Sequence, residues 1–90
     1  MILYLRYARD LAQDGQLKVA REITLETVGH VSMEDPEPHF LLGQIAIAME
    51  DQVLLHEAKN YLQYFKHSTW ERKLDEIVKI GYPEFSCTGP

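Results

Sequence analysis

The residue types best suited to chemistry in this sequence are four histidines, one cysteine and a run of acidic side chains. His56 and Glu57 begin the His-Glu pattern of a zinc-binding helix, in which a second histidine four residues after the first completes the pair of metal ligands. Asn60 occupies that position. Because one ligand of the pair is missing, the sequence does not predict a zinc site in this helix.

The connection between residues 30 and 39 has the densest group of metal-ligating side chains. It combines imidazole nitrogens and carboxylate oxygens from His30, Glu34, Asp35, Glu37 and His39. Zinc sites and calcium loops arrange such ligands at fixed spacings, which this segment does not reproduce. We therefore expect a hydrated acidic loop that holds no metal.

The sequence also lacks the patterns of nucleophilic catalysis. Its one thiol, Cys87, lies in a stretch rich in serine, threonine, glycine and proline, and none of Ser32, Ser68 and Ser86 lies in a Gly-x-Ser-x-Gly elbow. The glycines are isolated and form no phosphate-binding loop. A chain of 90 residues has little room for an enzyme-sized pocket beside its core. The sequence therefore predicts no enzyme and no cofactor.

Cysteine usage and hydropathy indicate the compartment. A single cysteine excludes an internal disulfide framework and fits a reducing environment. No basic segment precedes the first apolar residues, so a signal peptide is not expected. The longest apolar stretch, within residues 40–49, is far shorter than the roughly 20 residues that cross a bilayer. We expect a cytoplasmic protein that does not enter a membrane.

Charge is unevenly distributed along this chain, whose net charge is −5. Residues 1–21 carry four basic and two acidic groups, residues 22–57 eight acidic and no basic groups, and residues 58–90 five basic and four acidic groups. Non-specific nucleic-acid binding requires a basic surface, which this balance does not favour. The acidic middle instead favours a basic or amphipathic polypeptide, or the basic end of a second copy in a homodimer; a solvated acidic face is the alternative.

Apolar periodicity predicts five helices, because apolar residues recur at three- and four-residue spacings. The first helix covers about residues 2–12 and ends at Asp14-Gly15, and the second begins at Leu17 and ends at Gly29. The others cover about 38–49, 53–66 and 69–81. The sequence thus predicts one all-α domain over residues 1–82, followed by a tail over residues 83–90.

Three features of the helix interiors are distinctive. The inner stripe of the second helix has few bulky side chains, and we call it the light stripe. It includes Thr24 and Thr27, which lower helix propensity. Gly43 and Ala58, one in each of the next two helices, predict a close approach of those helix axes. Trp70 and Leu74 define the apolar stripe of the fifth helix.

The pattern resembles a degenerate tetratricopeptide repeat, a 34-residue helical hairpin, over about residues 2–66. One series of matching positions is Tyr4, Tyr7-Ala8, Leu11, Gly15 and Ala20, and a second is Phe40, Leu42-Gly43, Ala46 to Ile47, Ala58 and Leu62. The threonines of the second helix, the displaced prolines and a step from Gly43 to Ala58 that is three residues too long depart from the repeat.

This resemblance implies two antiparallel hairpins, residues 2–29 and 38–66, with residues 69–81 as a capping helix. It also implies a groove, lined by the first helix of each hairpin, that receives a peptide. Carried over by position, the groove residues are Leu5, Arg9, Ala12, Phe40, Gln44 and Ile47. The alternative is that Leu5, Phe40 and Ile47 belong to the core.

The expected function is a non-catalytic protein-protein interaction module, an adaptor or small chaperone-like binder that holds a peptide or helix in an apolar groove. A structural subunit of a homo-oligomer is the alternative, since two hairpins and a cap are close to the smallest stable repeat array. A small helical DNA-binding regulator ranks behind both. Its candidate recognition residues are interspersed with acidic neighbours and are Lys59, Asn60, Gln63 and Lys66 of the fourth helix and Arg72 and Lys73 of the fifth.

Overall fold

A computed structural model describes residues 2–29, 35–64, 66, 68–81 and 85 of the chain. These residues form five helices and no strand, which confirms the all-α prediction. The helices are α1 (Ile2–Gln13), α2 (Leu17–Val28), α3 (Pro36–Met49), α4 (Gln52–Tyr64) and α5 (Ser68–Ile80). Most predicted bounds differ by only one or two residues. Residues 30–34 of the expected acidic loop, and Cys87, lie outside the described residues.

The turn between α1 and α2 is built around Gly15. Its φ of +88° lies in the left-handed region, which glycine enters without steric cost. The amides of Gly15 and Gln16 donate to the carbonyl oxygens of Ala12 and Leu11 at 3.1 and 2.9 Å, so carbonyls at the end of α1 are satisfied. Because the turn is only three residues long, α2 runs back along α1 and packs against it.

The start of α3 lies two residues earlier than the sequence predicts. Asp35 is the N-cap, and its carboxylate accepts a hydrogen bond from the amide of Glu37 at 3.1 Å. Pro36 and Pro38 then both fall in the first turn, where amide groups have no partner inside the helix. The two prolines therefore begin this helix, and Asp35, directly before it, is in extended conformation.

The turn between α3 and α4 uses a non-glycine residue in left-handed conformation. Glu50 has φ 57° and ψ 35° and ends α3. The amides of Glu50 and Asp51 donate to the carbonyls of Ile47 and Ala46 at 3.1 and 2.9 Å, and the Asp51 carboxylate accepts from the amide of Leu54 at 3.1 Å. The predicted break between the third and fourth helices is confirmed at these residues.

Helix α3 is the central element of the fold. It packs against α2 and α1 on one side and against α4 and α5 on the other, whereas α1 and α5 share no contact within the described ranges. Every residue from Pro38 to Ala46 is buried. Two apolar clusters therefore meet along α3. The first cluster holds Leu5, Ala8, Ala12, Ala20, Leu41, Ile45 and Phe85, and the second holds Phe40, Leu42, Ala46, Leu54, Leu55, Leu62, Leu74 and Ile77.

The light stripe of α2 is buried against its neighbours. Thr24 donates its hydroxyl to the carbonyl of Ala20 at 2.7 Å, and Thr27 donates to the carbonyl of Ile23 at 2.9 Å. Both hydroxyls are thus satisfied within the helix, so the threonines are buried without an unpaired polar group. Small side chains on this stripe allow α2 to lie close to the helices that it packs against.

The close approach at Gly43 involves α5, not α4 as the sequence predicts. A methyl group on Gly43 would lie 2.6 Å from Cδ1 and 2.9 Å from Cδ2 of Leu74, which is fully buried. Gly43 thus provides the space that Leu74 occupies, and α5 packs directly on α3 at this point. Ala58 of α4 is also buried, in accord with a tightly packed α3–α4 hairpin.

Candidate functional site

The six residues expected to line a peptide groove lie in the interior of the structure. Leu5, Arg9, Ala12, Phe40 and Gln44 are buried, and Ile47 is partly buried against the second cluster. In this conformation no partner reaches these side chains from solvent. The alternative, in which the apolar members of the set belong to the core, describes the observed packing.

Two different neighbours cover this set. On the α3 side, α5 covers it, and the ring of Trp70 stands edge-on to Phe40 with 5.0 Å between centroids and 74° between ring planes. The sequence predicted a cap by Trp70 and Leu74, although against the fourth helix. On the α1 side, Leu5 and Ala12 join the first cluster, which includes a residue from outside the helices. That residue is Phe85.

Phe85 is the residue that the sequence prediction missed, because it lies in the segment expected to be a tail. Its side chain is only 9% exposed and belongs to the first cluster. The side-chain amide of Gln13, at the end of α1, donates to the main-chain carbonyl of Phe85 at 2.6 Å. A lone large aromatic residue within a stretch of Pro, Ser, Thr and Gly is the sequence signal that could have revealed it.

Phe85 follows α5 in the sequence and contacts the end of α1 in the structure. Gly81, at φ +102°, follows α5, and Phe85 follows it by four residues. Four extended residues span at most about 14 Å, so Phe85 lies within that distance of the end of α5, and its bond from Gln13 places it beside the end of α1. Since α3 separates α1 from α5, Phe85 joins two elements that share no direct contact among the described residues.

Arg9 is the unusual polar group in this region. It is 7% exposed, and its Nε has no hydrogen-bond partner. The two ion pairs found among the described residues, Lys59–Asp75 and Lys73–Glu76, do not involve it. On α1 it lies one turn before Gln13, so the two side chains project from the same side of the helix. A buried guanidinium gains most from a carboxylate partner, which it can bind through paired hydrogen bonds.

Gln44 is the corresponding polar residue of α3. It is 2% exposed and lies within a run that is otherwise mostly apolar. It follows Phe40 by four positions and Leu41 by three, so it lies on the helix between the stripes that face the two clusters. Polar side chains from α1 and α3 are thus enclosed on the side where the first helix of each hairpin was expected to receive a peptide.

The outer faces of the helices carry several large apolar or aromatic side chains. Tyr64 is 78% exposed, and other strongly exposed examples are Tyr4, Tyr7, Val53 and Ile80. Tyrosine combines a large apolar ring with a polar tip, which suits protein interfaces. Tyr61 is also exposed, yet its ring stacks on His39 with centroids 4.6 Å apart.

The remaining candidates for chemistry are placed as follows. The amide nitrogen of Asn60 lies 3.1 Å from Nε2 of His56, so the position required for a second ligand holds a side-chain amide. Across the part of the chain that the structure describes, no three histidine, cysteine, aspartate or glutamate side chains converge to hold a metal ion. None of the five helices combines the length and hydropathy needed to cross a membrane.

Comparison with known proteins gave no relative. No protein-family model matches the sequence, no curated protein matches it, and no solved structure matches the fold. The resemblance to tetratricopeptide repeats therefore stays a prediction from the residues of this chain.

Proposed function

We propose that this protein is a non-catalytic interaction module, an adaptor or small chaperone-like binder, that holds a segment of another polypeptide on the surface formed by α1 and α3. One observation carries this proposal: a residue from outside the helices, Phe85, occupies that surface. It does so through a buried ring and a hydrogen bond to its main-chain carbonyl. Peptide-binding domains use the same two contacts, an aromatic anchor in a pocket and hydrogen bonds to the peptide backbone.

The packing of the helices supports a repeat-like architecture as part of this proposal. Each hairpin packs internally, α1 on α2 and α3 on α4, and successive hairpins meet through α2 and α3. Helix α5 covers the free side of the second hairpin, as a capping helix does. Every helix packs against the next helix along the chain, and α3 also packs against α1 and α5. Contacts between neighbouring units are the expected property of stacked hairpins.

The partner that we propose is a basic or amphipathic polypeptide. The excess of negative charge in residues 22–57 would attract such a chain over a range of about 8–10 Å at physiological salt. The cytoplasm is the proposed location, because the single thiol requires no oxidising compartment.

A structural subunit of a homo-oligomer is the second candidate, and the exposed outer residues favour it. Tyr4 and Tyr7 of α1 and Tyr64 of α4 are each more than half exposed. Burial of such rings against a second copy would add apolar area that a 90-residue chain cannot bury alone. A DNA-binding regulator is disfavoured, because Lys59 and Lys73 already pair with Asp75 and Glu76.

Selection from a peptide display library, combined with light scattering, tests the proposal. We expect the purified chain to be monomeric at micromolar concentration and to enrich peptides that contain an aromatic residue. The matched control is the Val53→Ser chain, which changes a side chain of α4 that is 71% exposed, and it should select the same peptides.

Two results would contradict the proposal. A dimer that persists at nanomolar concentration and dissociates on Tyr4→Ser or Tyr7→Ser substitution would identify a structural subunit. Failure of the folded monomer to enrich any peptide family above background would remove the binding function altogether.

A further inference from the structure

The surface that holds Phe85 has the construction of a pocket for a single aromatic ring. The first cluster, to which Phe85 belongs, includes Ala8, Ala12 and Ala20 of α1 and α2, whose side chains are small and buried. Leu41 and Ile45 of α3 supply larger apolar contacts in the same cluster. A ring therefore fills a space that the helices do not fill themselves.

Phe85 differs from the other members of the first cluster because no helix holds it in place. Among the described residues, Gln13 donates a hydrogen bond to its main-chain carbonyl, and the cluster supplies its apolar contacts. Burial of one phenyl ring favours the bound position of Phe85, and the loss of conformational entropy of the chain around it offsets part of this gain. The balance is small enough that a competing segment with the same contacts can replace it.

Arg9 adds a chemical preference to this pocket. Its guanidinium is buried with Nε unpaired, one helical turn from the side chain that binds the Phe85 carbonyl. An uncompensated buried charge is costly, and a carboxylate is the group that best compensates an arginine. A ligand that brings both a ring and a carboxylate would thus gain a contact that the described residues of this chain do not provide.

We propose that the Phe85 site on α1 is the ligand-recognition pocket of this protein, and that its ligand is an extended peptide with one aromatic residue and a neighbouring carboxylate. The ring of the ligand takes the place of Phe85, its main-chain carbonyl accepts from Gln13, and its carboxylate pairs with Arg9. The chain's own Phe85 occupies the pocket until such a ligand displaces it. This inference rests on the proposed function and identifies the class of ligand.

Competition with a tethered segment sets the affinity that a ligand must have. A short tether presents its segment at an effective concentration in the millimolar range. A free peptide with equal contacts therefore binds the wild-type chain weakly and binds a chain without Phe85 more tightly. Pairing with Arg9 contributes to the affinity of any peptide that carries a carboxylate beside its ring, and such a peptide displaces Phe85 once its concentration exceeds this effective concentration.

The test uses a fluorescein-labelled peptide with the sequence of residues 81–90, in which serine replaces Cys87. Fluorescence anisotropy measures its binding to the wild-type chain and to the Phe85→Ala chain, after circular dichroism has shown both to be helical. We expect at least tenfold tighter binding to Phe85→Ala. A peptide with alanine in place of its phenylalanine should lose this binding.

Two protein variants made in the Phe85→Ala chain assign the polar contacts. Gln13→Ala should weaken peptide binding severalfold. Arg9→Met should weaken binding of the peptide that contains glutamate, but not of a peptide in which glutamine replaces that glutamate. Glu22→Gln is the matched control, because Glu22 is exposed on α2, and it should leave binding unchanged.

A second measurement does not depend on the folding of Phe85→Ala. The wild-type chain labelled with 4-fluorophenylalanine has three fluorinated positions, one for each phenylalanine. Excess peptide should shift the Phe85 resonance towards its solvent-exposed value and leave that of Phe40 in place. Assignment of the resonance uses the Phe85→Leu chain.

The inference is overturned if the peptide binds wild-type and Phe85→Ala chains equally, or if it binds neither and also leaves the Phe85 resonance unchanged. Its failure differs from failure of the proposed function. A chain that enriches peptides in display, yet binds them equally with and without Phe85, is an interaction module that uses another surface. A chain that binds the peptide of residues 81–90 but enriches no foreign sequence has the pocket without the proposed function.

Discussion

The two sides of α3 are completed in different ways. On the side of the second cluster, α5 contributes Trp70, Leu74 and Ile77 from consecutive turns of one helix. On the side of the first cluster, where α1 and α2 pack on α3, the residue added from outside the two hairpins is Phe85, held by one side-chain hydrogen bond. The part of the chain after the two hairpins thus adds a helical cover on one side of α3 and a single-residue cover on the other.

This difference teaches how stability and binding are divided in a small domain. A helical cover buries several side chains cooperatively, so its removal exposes much of the core. A single-residue cover can leave while the helices below it remain folded, because local opening costs less where few apolar contacts are lost. We therefore expect the second cluster to set the stability of the protein and the first cluster to accommodate exchange.

The largest expected effect comes from Phe40→Ala in the second cluster. Phe40 is 3% exposed and packs edge-on against Trp70, so its truncation leaves a cavity and should cost about 3–5 kcal/mol in the free energy of unfolding. Urea denaturation followed by circular dichroism measures this change. Tyr64→Ala is the control and should stay within about 0.5 kcal/mol, because Tyr64 is exposed. A loss of partner binding without a loss of stability would contradict the core position of Phe40.

The next effect tests the contact between α3 and its helical cover. Gly43→Ala places a methyl group 2.6 Å from Cδ1 of Leu74 and should destabilise the protein by about 1–3 kcal/mol through overpacking. In a double-mutant cycle, Gly43→Ala should cost less in the Leu74→Ala chain, because the opposing methyl groups are gone. If Gly43→Ala destabilises both chains equally, Leu74 is not the side chain that opposes the added methyl group.

The sequence predicts much of the fold, but it does not predict the two covers of α3 equally well. The spacing of Trp70, Leu74 and Ile77 predicts a capping helix, since a helical stripe is a periodic signal. Glycine and proline positions also located the turns, apart from the start of α3. There the pair of prolines suggests a loop, and only the carboxylate of Asp35 bonding to the Glu37 amide places both inside the first turn.

The candidate site was predicted less well, for a physical reason. Periodicity identifies which face of a helix is apolar, but it does not say what covers that face. Leu5, Arg9, Ala12, Phe40 and Gln44 do share the inward faces of α1 and α3. Their cover depends on long-range contacts of α5 and of Phe85, and the latter bonds to a residue 72 positions away. A single residue has no period, so periodicity does not identify it.

A smaller effect is expected from Phe85→Ala, and its location matters more than its size. Loss of one ring from the first cluster should lower stability by about 1–3 kcal/mol, less than Phe40→Ala, because no helix depends on Phe85 for its packing. Hydrogen exchange should accelerate at amides near the C-terminal end of α1 and remain unchanged in α4. Equal acceleration in both helices would mean that loss of Phe85 opens the whole domain and not the end of α1 alone.

The smallest expected effect concerns the turns of the two hairpins. Gly15 and Glu50 both end a helix in left-handed conformation, with φ of 88° and 57°, but only the first hairpin uses glycine there. Left-handed conformation costs a residue with a Cβ about 1–2 kcal/mol. Glycine removes this strain, but its greater conformational freedom in the unfolded chain lowers the gain in stability by about 0.4–1 kcal/mol. Glu50→Gly should therefore stabilise the protein by about 0.5–1 kcal/mol.

Glu50→Ala keeps the strain and serves as the control in thermal denaturation. If the alanine variant is equally stabilised, the gain comes from removing a negative charge at the end of α3, where the helix dipole disfavours it, and not from the backbone.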